Sequence, residues 1–197
     1  IAKIERVEAI RNLNEILDAS HGLMVARGDL ATEVGEAAVP ALQKRMIQLA
    51  RDKNKLAITA TQMMESMTQS PVPTRAEVSD VANAVLDGTD AVMLSAETAA
   101  GKYPARTVSK MSEICLEAEK FVEGIVDSHF LDRTFQSIDQ SIAMASLFVA
   151  LHLKIKAIAS FTQSGSTALW ISRLNSGVPI YAMTPEDSTR RRMSLYR

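Results

Sequence analysis

The sequence predicts an α/β protein in which parallel strands alternate with helices, followed by the start of a second α/β unit. Short apolar runs alternate with stretches in which apolar residues recur every three or four positions, the pattern of buried strands between amphipathic helices. The strand-like runs begin near residues 1, 22, 55 and 90, a spacing typical of βα units in a parallel sheet. This rhythm breaks at residues 121–137, which indicates a domain boundary.

Four strand-like and four helical segments make up the first part of the chain. The predicted strands are residues 1–4, 22–26, 56–60 and 91–94, and the predicted helices are residues 7–17, 37–52, 75–87 and 104–120. Four consecutive βα units of this size are half of an eightfold (β/α)8 barrel. An open doubly wound sheet is the alternative, and the pattern alone does not separate the two.

The second part of the chain predicts a further helix–strand–helix–strand series. Its elements are a helix at 138–151, a strand at 157–161, a helix at 167–175 and a strand at 180–182. We therefore expect one domain at residues 1–122 and the beginning of another at 123–197. Because the chain opens directly in a strand-like segment and stops within a helical pattern, we also expect a piece of a longer protein.

Composition excludes several classes of protein. The chain has 197 residues, 47% hydrophobic and 23% charged, with a net charge of -1, so neither nucleic acid nor an anionic membrane is an expected partner. No apolar run approaches the roughly 18 residues of a membrane span. Cys115 stands alone, which rules out a disulfide within the chain and zinc spacing, and we expect a reducing, cytoplasmic setting.

Charged residues stand at the ends of the first two predicted strands, where parallel barrels carry their sites. Lys3 and Glu5 lie two positions apart and point to the same side of a strand end, and Asp29 follows the neighbouring strand. Two carboxylates without His or Cys suit magnesium, and Gly28 allows a ligand to approach the backbone closely. A surface ion pair and a simple turn at Gly28 are the alternatives from spacing alone.

Two further groups of polar residues follow predicted strands. Thr61 and Ser95 follow the third and fourth strands, where a hydroxyl can relay protons or bond an oxyanion, or can equally satisfy loop backbone. A hydroxyl- and glycine-rich loop follows the strand at 157–161 and opens a helix, a possible phosphate cradle or a common helix cap. The residues of this loop that we single out are Thr162, Ser164, Gly165, Ser166 and Thr167.

Taken together, the motifs closely resemble the pyruvate kinase family. The motifs are KIE at 3–5, MVARGDL at 24–30, ATQM at 60–63, ESM at 65–67, PTRAE at 73–77, DVANAVLDG at 80–88 and MLSAET at 93–98. The resemblance runs from Ile1 to Lys120 and continues more weakly through the loop at Thr162. It implies the second half of a TIM (β/α)8 barrel followed by the start of an α/β regulatory domain, of the bacterial type activated by sugar phosphates or AMP.

The resemblance also implies an activity and roles for residues. The family moves the phosphoryl group of phosphoenolpyruvate to ADP in glycolysis and then protonates the enolate. Lys3 matches the lysine that stabilises the phosphoryl group in flight, and Glu5 and Asp29 match the ligands of Mg²⁺ or Mn²⁺. The backbone at Gly28 and Asp29 matches the cradle of the substrate carboxylate, and Thr61 matches the threonine near the face of the enolate that is protonated.

The family resemblance further implies a homotetramer and a K⁺ ion whose site lies outside this chain, and it leads us to expect that the fragment alone is inactive. Two positions depart from the pattern: Ala31 replaces a glycine common after Gly-Asp-Leu, and Ser166 replaces an arginine found in some relatives. The competing hypotheses are an aldolase or lyase of the wider phosphoenolpyruvate/pyruvate barrel group, and a phosphometabolite-binding or assembly module without turnover.

Overall fold

The chain divides into two compact units. The computed structural model describes residues 1–122, 135, 137–173 and 176–196, and the units comprise Ile1–Phe121 and Val122–Arg197. Most of the segment 121–137, where we expect the domain boundary, lies outside the described residues. Within the described ranges, no helix has the length and apolar character needed to span a membrane.

A four-stranded parallel sheet organises the first unit. Its strands are β1 (Ala2–Ile4), β2 (Gly22–Ala26), β3 (Leu56–Ala60) and β4 (Ala91–Met93), and they lie side by side in chain order. The register pairs Lys3 with Met24 and Ala60 with Met93. The carboxyl ends of all four strands therefore meet at one edge, as the strand spacing predicts.

Helices and short 3-10 turns connect the strands. The helices are α1 (Val7–Arg11), α2 (Leu13–Asp18), α3 (Arg27–Val34), α4 (Val39–Asp52), α5 (Arg75–Leu86), α6 (Ala96–Ala99) and α7 (Pro104–Val122), and 3-10 helices cover Glu36–Ala38 and Glu65–Thr68. The predicted helix at 7–17 is interrupted at Asn12. The helix predicted to begin at 37 is a 3-10 turn that continues into α4.

Apolar side chains of the sheet pack against these helices. Leu23 and Val25 are fully buried against Leu17, Leu30 and Ile47, as expected for a parallel strand covered by helices. A second cluster is rich in methionine, whose flexible thioether fills irregular space. It comprises Met63, Met64, Met67, Val81, Ala84 and Met111.

The second unit contains a two-stranded parallel sheet and three helices within its described residues. They are α8 (Ile138–His152), β5 (Ile158–Phe161), α9 (Ser166–Ser172), β6 (Ile180–Met183) and α10 (Asp187–Met193). Ala143 and Leu147 of α8 pack against Ile171 of α9. This agrees with the predicted series of elements, although residues 174–175, the end of the predicted second helix, lie outside the described residues.

Candidate active site

The polar residues singled out in the first unit lie along the carboxyl edge of its sheet. Glu5 follows β1, Arg27 begins α3 directly after β2, and Thr61 follows β3. Because the three strands are adjacent and parallel, their last residues are brought together by the sheet itself. The same edge carries the active sites of parallel barrels.

Lys3, Glu5 and Asp29 meet in a partly exposed cluster. The ammonium Nζ of Lys3 donates a hydrogen bond of 2.9 Å to Oδ2 of Asp29 and contacts Oε2 of Glu5. The Lys3 side chain is 52% exposed and that of Asp29 is 62% exposed. The first turn of α3 thus places Asp29 beside the end of β1.

The charges of this cluster reinforce one another. The ionic contact with Glu5, and next the hydrogen bond to Asp29, raise the pKa of Lys3 above its ordinary value. The hydrogen bond from Lys3, followed by its positive charge, lowers the pKa of Asp29. Both groups are therefore charged at neutral pH, although such exposed pairs add little to stability.

The two carboxylates fit a hard divalent cation. Oε2 of Glu5 contacts the ammonium of Lys3, and the carboxylate oxygens of Glu5 and Asp29 are the hard ligands that such a cation prefers. One ammonium faces two carboxylates, which leaves the cluster with an excess negative charge. Across the described part of the chain, no group of three or more His, Cys, Asp or Glu residues could hold a metal. Magnesium suits this set because it keeps several waters and takes further oxygens from a substrate.

Thr61 is tied to the start of α3. Its Oγ1 accepts a hydrogen bond of 2.8 Å from the backbone N–H of Gly28. Residues 27–29 open a helix, so the turn considered for Gly28 and Asp29 is not formed. A methyl group at Gly28 would lie 3.5 Å from Oγ1 of Thr61, an ordinary contact. Local packing therefore does not demand glycine here, and close approach of a ligand stays the prediction for this position.

Arg27 lies at the edge of the site, and its sequence position indicated no role for it. It is 7% exposed, and its guanidinium donates to the backbone carbonyls of Thr61 and Gln62 and to the carboxylate of Asp80. The signal in the sequence is an arginine placed directly after a buried apolar strand, where a charge needs several partners. Its acceptors come from three other segments, the loop after β3, α4 and α5, and could not be read from the sequence.

Glu97 is a second buried charged residue that sequence reasoning left without a role. It is 2% exposed, and its carboxylate accepts the backbone N–H groups of Met64 and Ser95 at 3.1 and 2.7 Å. It therefore joins the loop after β3 to the loop after β4. Ser95, predicted at this rim, contributes its backbone to that junction.

The predicted phosphate loop of the second unit is a compact turn at the start of α9. The backbone N–H of Gly165 donates to Oγ1 of Thr162 at 2.9 Å, and the hydroxyls of Ser164 and Ser166 lie 2.8 Å apart. Gly165 has a φ of 83°, a left-handed conformation that glycine adopts readily. Thr167 follows Ser166 in the first turn of α9.

Helix α10 packs against this loop. Thr189 donates to the carbonyl of Gln163 at 2.9 Å, and Arg192 donates to the carbonyl of Ser164 at 2.8 Å. The Nε of Arg192 is buried and has no hydrogen-bond partner. A positive group thus stands beside the hydroxyl-rich turn, whereas the spacing of the sequence indicated only the turn.

Comparison with known proteins identifies the family and the fold of the chain. Residues 1–108 match the family model described as the pyruvate kinase barrel domain, and residues 140–197 match the pyruvate kinase alpha/beta domain. A crystal structure of a pyruvate kinase from Cryptosporidium parvum superposes with a TM-score of 0.94 at 39% identity, covering 99% of this chain and 40% of that one. The half-barrel is therefore the correct one of the two sheet arrangements, and the predicted fold class is confirmed.

Curated relatives agree along the whole length of the chain. The pyruvate kinase of Buchnera aphidicola subsp. Acyrthosiphon pisum is 55% identical, and pyruvate kinase II of Salmonella typhimurium is 53% identical. Each match covers 100% of this chain but 42% of the relative, so the chain spans less than half the length of these proteins. From the two family matches and these relatives, we conclude that the chain belongs to the pyruvate kinase family.

Proposed function

We propose that the full-length protein containing this chain is a pyruvate kinase, a phosphotransferase that moves the phosphoryl group of phosphoenolpyruvate to ADP. The observation that carries the proposal is the cluster of Lys3, Glu5 and Asp29 at the carboxyl edge of a half-barrel. Phosphoryl transfer depends mainly on positioning and electrostatic stabilisation. One ammonium beside two carboxylates supplies both a direct positive charge and ligands for a divalent cation.

Each residue has a distinct role in this proposal. Lys3 stabilises the negative charge that spreads over the phosphoryl group during transfer. Glu5 and Asp29 would hold Mg²⁺ or Mn²⁺, which supplies Lewis-acid stabilisation of substrate oxygens. The backbone at Gly28 and Asp29 receives the substrate carboxylate at the start of α3. The N–H of Gly28 donates to Thr61, so the N–H of Asp29 is the first-turn donor without an intrahelical acceptor.

Thr61 belongs to the protonation step. A threonine hydroxyl is a poor acid, so we assign to it the orientation of a water that delivers the proton to the enolate. Its Oγ1 is already an acceptor for Gly28, which leaves its own proton available to a water or a substrate oxygen. Thr61 lies on β3's end, across β2 from Lys3 and Glu5, so it approaches the substrate from a different side.

The wider assembly of the proposed enzyme follows from the family. We infer a K⁺ ion bound outside this chain, a homotetramer and a cytoplasmic location. In the second unit, α8 exposes apolar side chains at Ile138, Ile142 and Phe148, and self-association would cover such a surface. Sedimentation of the full-length protein measures the oligomeric state directly.

The loop of Thr162, Ser164, Gly165, Ser166 and Thr167 is the proposed site of an activating phosphate, carried by a sugar phosphate or AMP. Its hydroxyls cluster in one turn at the start of α9, the kind of place at which proteins bind phosphate groups. The guanidinium of Arg192 at the carbonyl of Ser164 adds a positive charge that a phosphate requires.

The test is an assay of the full-length protein with phosphoenolpyruvate and ADP across a magnesium titration. We expect ADP-dependent pyruvate formation, and Asp29→Asn should raise the magnesium requirement sharply and lower turnover. Carbon–carbon cleavage in place of pyruvate formation would support the aldolase or lyase alternative. Phosphate-ester binding without any turnover would support a binding module.

Asp18→Asn is a matched control for this experiment. Asp18 is 65% exposed and pairs with Lys53 at 2.6 Å, much as Asp29 pairs with Lys3, but it lies at the end of α2, before β2, on the opposite edge of the sheet. Its magnesium titration should match that of the unmodified protein. An unchanged titration in Asp29→Asn would count against the metal assignment.

A further inference from the structure

Arg27 occupies an unusual position for an arginine. The residue is 7% exposed, and a buried charge is tolerated only when it is paired and hydrogen-bonded. Nη1 forms an ion pair with the carboxylate of Asp80 at 2.7 Å and donates a hydrogen bond to Gln43. Nε and Nη2 instead point to the loop after β3. The guanidinium therefore bridges helix α5, which carries Asp80, and the loop that carries Thr61.

The loop that Arg27 holds is conformationally unfavourable by itself. Thr61 and Gln62 have φ angles of 70° and 52°, and both are residues for which the left-handed region is disfavoured. Nη2 of Arg27 donates to the carbonyl of Thr61 at 2.7 Å and to that of Gln62 at 3.0 Å. Successive left-handed residues turn these carbonyls to one side, where a single forked donor reaches both.

The same stretch of chain also holds the Thr61 side chain and the cation cluster. Gly28 donates its backbone N–H to Oγ1 of Thr61, and Asp29 meets Lys3. Arg27 thus holds the backbone of Thr61, Gly28 holds its hydroxyl, and Asp29 holds the ammonium of Lys3. The hydroxyl can keep its place only while the strained backbone beneath it is held.

We propose that Arg27 is a positioning residue that holds Thr61 in the geometry required for the reaction, an inference that rests on the proposed pyruvate kinase function. Arg27 acts through the carbonyls of Thr61 and Gln62 and does not touch the reacting atoms. Lysine cannot replace it, because an ammonium is a point charge without the planar fork that serves two carbonyls and a carboxylate together.

The test compares Arg27→Lys with the unmodified full-length protein in two measurements. The kcat for pyruvate formation should fall on the order of 100-fold, because small displacements of a positioned group have effects of that size. Hydrogen exchange at the Gly28 amide, whose acceptor is Oγ1 of Thr61, should accelerate about fivefold or more, as expected for loss of one hydrogen bond. The magnesium requirement should stay unchanged, because Glu5 and Asp29 are untouched.

Arg51→Lys is the matched control. Arg51 also donates its guanidinium to a backbone carbonyl, that of Gly88 at 3.2 Å, but Gly88 precedes β4 at the opposite edge of the sheet. This variant should show unchanged kcat and unchanged exchange at Gly28. A loss of kcat equal to that of Arg27→Lys would reveal a general effect of weakening the barrel and would overturn the inference.

The two measurements also separate this inference from the proposed function. If folded Arg27→Lys exchanges Gly28 at the unmodified rate, or exchanges it faster with full kcat, the positioning role is wrong. If the unmodified protein forms no pyruvate, the proposed function is wrong, whereas the exchange rates still decide whether Arg27 holds Thr61.

Asp80→Asn keeps the test decisive if Arg27→Lys does not fold. The Asp80 side chain is 38% exposed, and the substitution removes the charge partner while leaving Arg27 and both carbonyls in place. We expect smaller changes in the same direction for kcat and for exchange at Gly28. Values equal to those of the unmodified protein in both measurements would contradict the inference.

Discussion

At the scale of single residues, the proposed role of Lys3 is to act on the transition state more than on the bound substrate. Its ammonium is already paired with Glu5 and Asp29, and in phosphoryl transfer the charge spreads over the oxygens of the group in flight. Interactions that strengthen only in the transition state raise kcat and leave KM nearly unchanged.

We therefore predict that Lys3→Met lowers kcat far more than it raises KM for phosphoenolpyruvate, by at least about 100-fold in kcat as for loss of other electrostatic groups. Steady-state kinetics of the full-length protein measure this, with Lys53→Met as the control because Lys53 pairs with Asp18 away from the site. A change confined to KM would assign Lys3 to ground-state binding.

Thr61→Val separates a chemical role of the hydroxyl from a structural one. We predict that the variant loses on the order of 10²–10⁴-fold in exchange of pyruvate methyl protons with solvent, the usual worth of general acid–base help, with divalent-ion affinity near that of the unmodified protein. Deuterium incorporation into pyruvate, normalised to folded protein, measures the effect. Normal proton exchange with reduced thermal stability would mean that Thr61 only accepts the N–H of Gly28.

Residue-level prediction from sequence succeeded for groups whose position follows from strand direction alone. Lys3, Glu5 and Asp29 were expected to meet because adjacent parallel strands end at one edge, and they do meet. The partners of Arg27 depend instead on positive φ angles at Thr61 and Gln62. Nothing in the identity of a threonine or a glutamine signals that conformation, so this part of the site was not predictable.

At the scale of elements, the start of α5 carries a capping box that also holds the preceding loop. The carboxylate of Glu77 accepts the backbone N–H of Thr74 at 2.8 Å and that of Ser66 at 2.7 Å, while Oγ1 of Thr74 accepts the N–H of Glu77. Burial raises the pKa of Glu77, but the hydrogen bonds from Ser66 and Thr74 outweigh it and lower the pKa below its ordinary value of 4.5.

The sign of this shift sets a pH dependence for α5. Because the folded pKa of Glu77 is depressed, its stabilisation is complete above pH 4.5 and is lost as pH falls through the lower folded value. We predict that Glu77→Gln reduces the free energy of local opening of α5 by about 1 kcal/mol at neutral pH, because Gln can keep the capping box but loses the charge that strengthens its hydrogen bonds. The difference from the unmodified protein should shrink as the pH falls below 4.5.

Native-state hydrogen exchange of α5 amides at several pH values measures this difference. Glu33→Gln is the control, because Glu33 is an exposed acid of α3 outside the capping box. A difference between Glu77→Gln and the unmodified protein that stays constant from neutral to acidic pH would contradict the assignment of the shift to Glu77.

Element prediction was accurate where apolar periodicity is strong and incomplete where it is weak. Helix α4 has a clear apolar face, with Met46 and Ile47 buried, and its range was expected within two residues. Helix α3 buries only Arg27 and Leu30, so its sequence shows no apolar stripe, and it was not predicted as a helix. Arg27 and Gly28, at its start, contact the loop after β3, and such long-range contacts leave no periodic signal in the sequence.

At the scale of the whole molecule, the proposed effector loop of the second unit allows a test of regulation. We predict that Ser166→Glu in the full-length protein raises the concentration of activating phosphate ester needed for half-maximal response by more than about tenfold, since like charges brought together cost several kcal/mol. The helix itself tolerates the change, because acidic side chains are favourable in a first turn.

Activation curves with a sugar phosphate and with AMP measure this response and show which ester the protein uses. Ser146→Glu introduces the same charge on α8, where the serine hydroxyl bonds only its own helix at Ile142, and should leave the curve unchanged. Equal responses of Ser166→Glu and the unmodified protein would remove the loop from the proposed effector site.

The fold of the molecule was largely predictable because its strands follow chain order at regular spacing. The spacing of the strands does not distinguish a half-barrel from an open sheet, because both contain the same βα unit. The family matches identify the half-barrel. The domain boundary expected near residue 122 stays a prediction, although the compact units divide between Phe121 and Val122.

The chain-order sheet has a consequence for how the protein is made. Strands β2, β3 and β4 each pair with the strand synthesised just before them, so these three pairings do not wait for a distant partner as the chain leaves the ribosome. Once Ala60 has emerged, β1, β2 and β3 can already be assembled, and each later strand adds to a finished edge. Such vectorial growth keeps the exposed hydrogen-bonding edge short-lived during translation, the stage at which unpaired strands aggregate most readily.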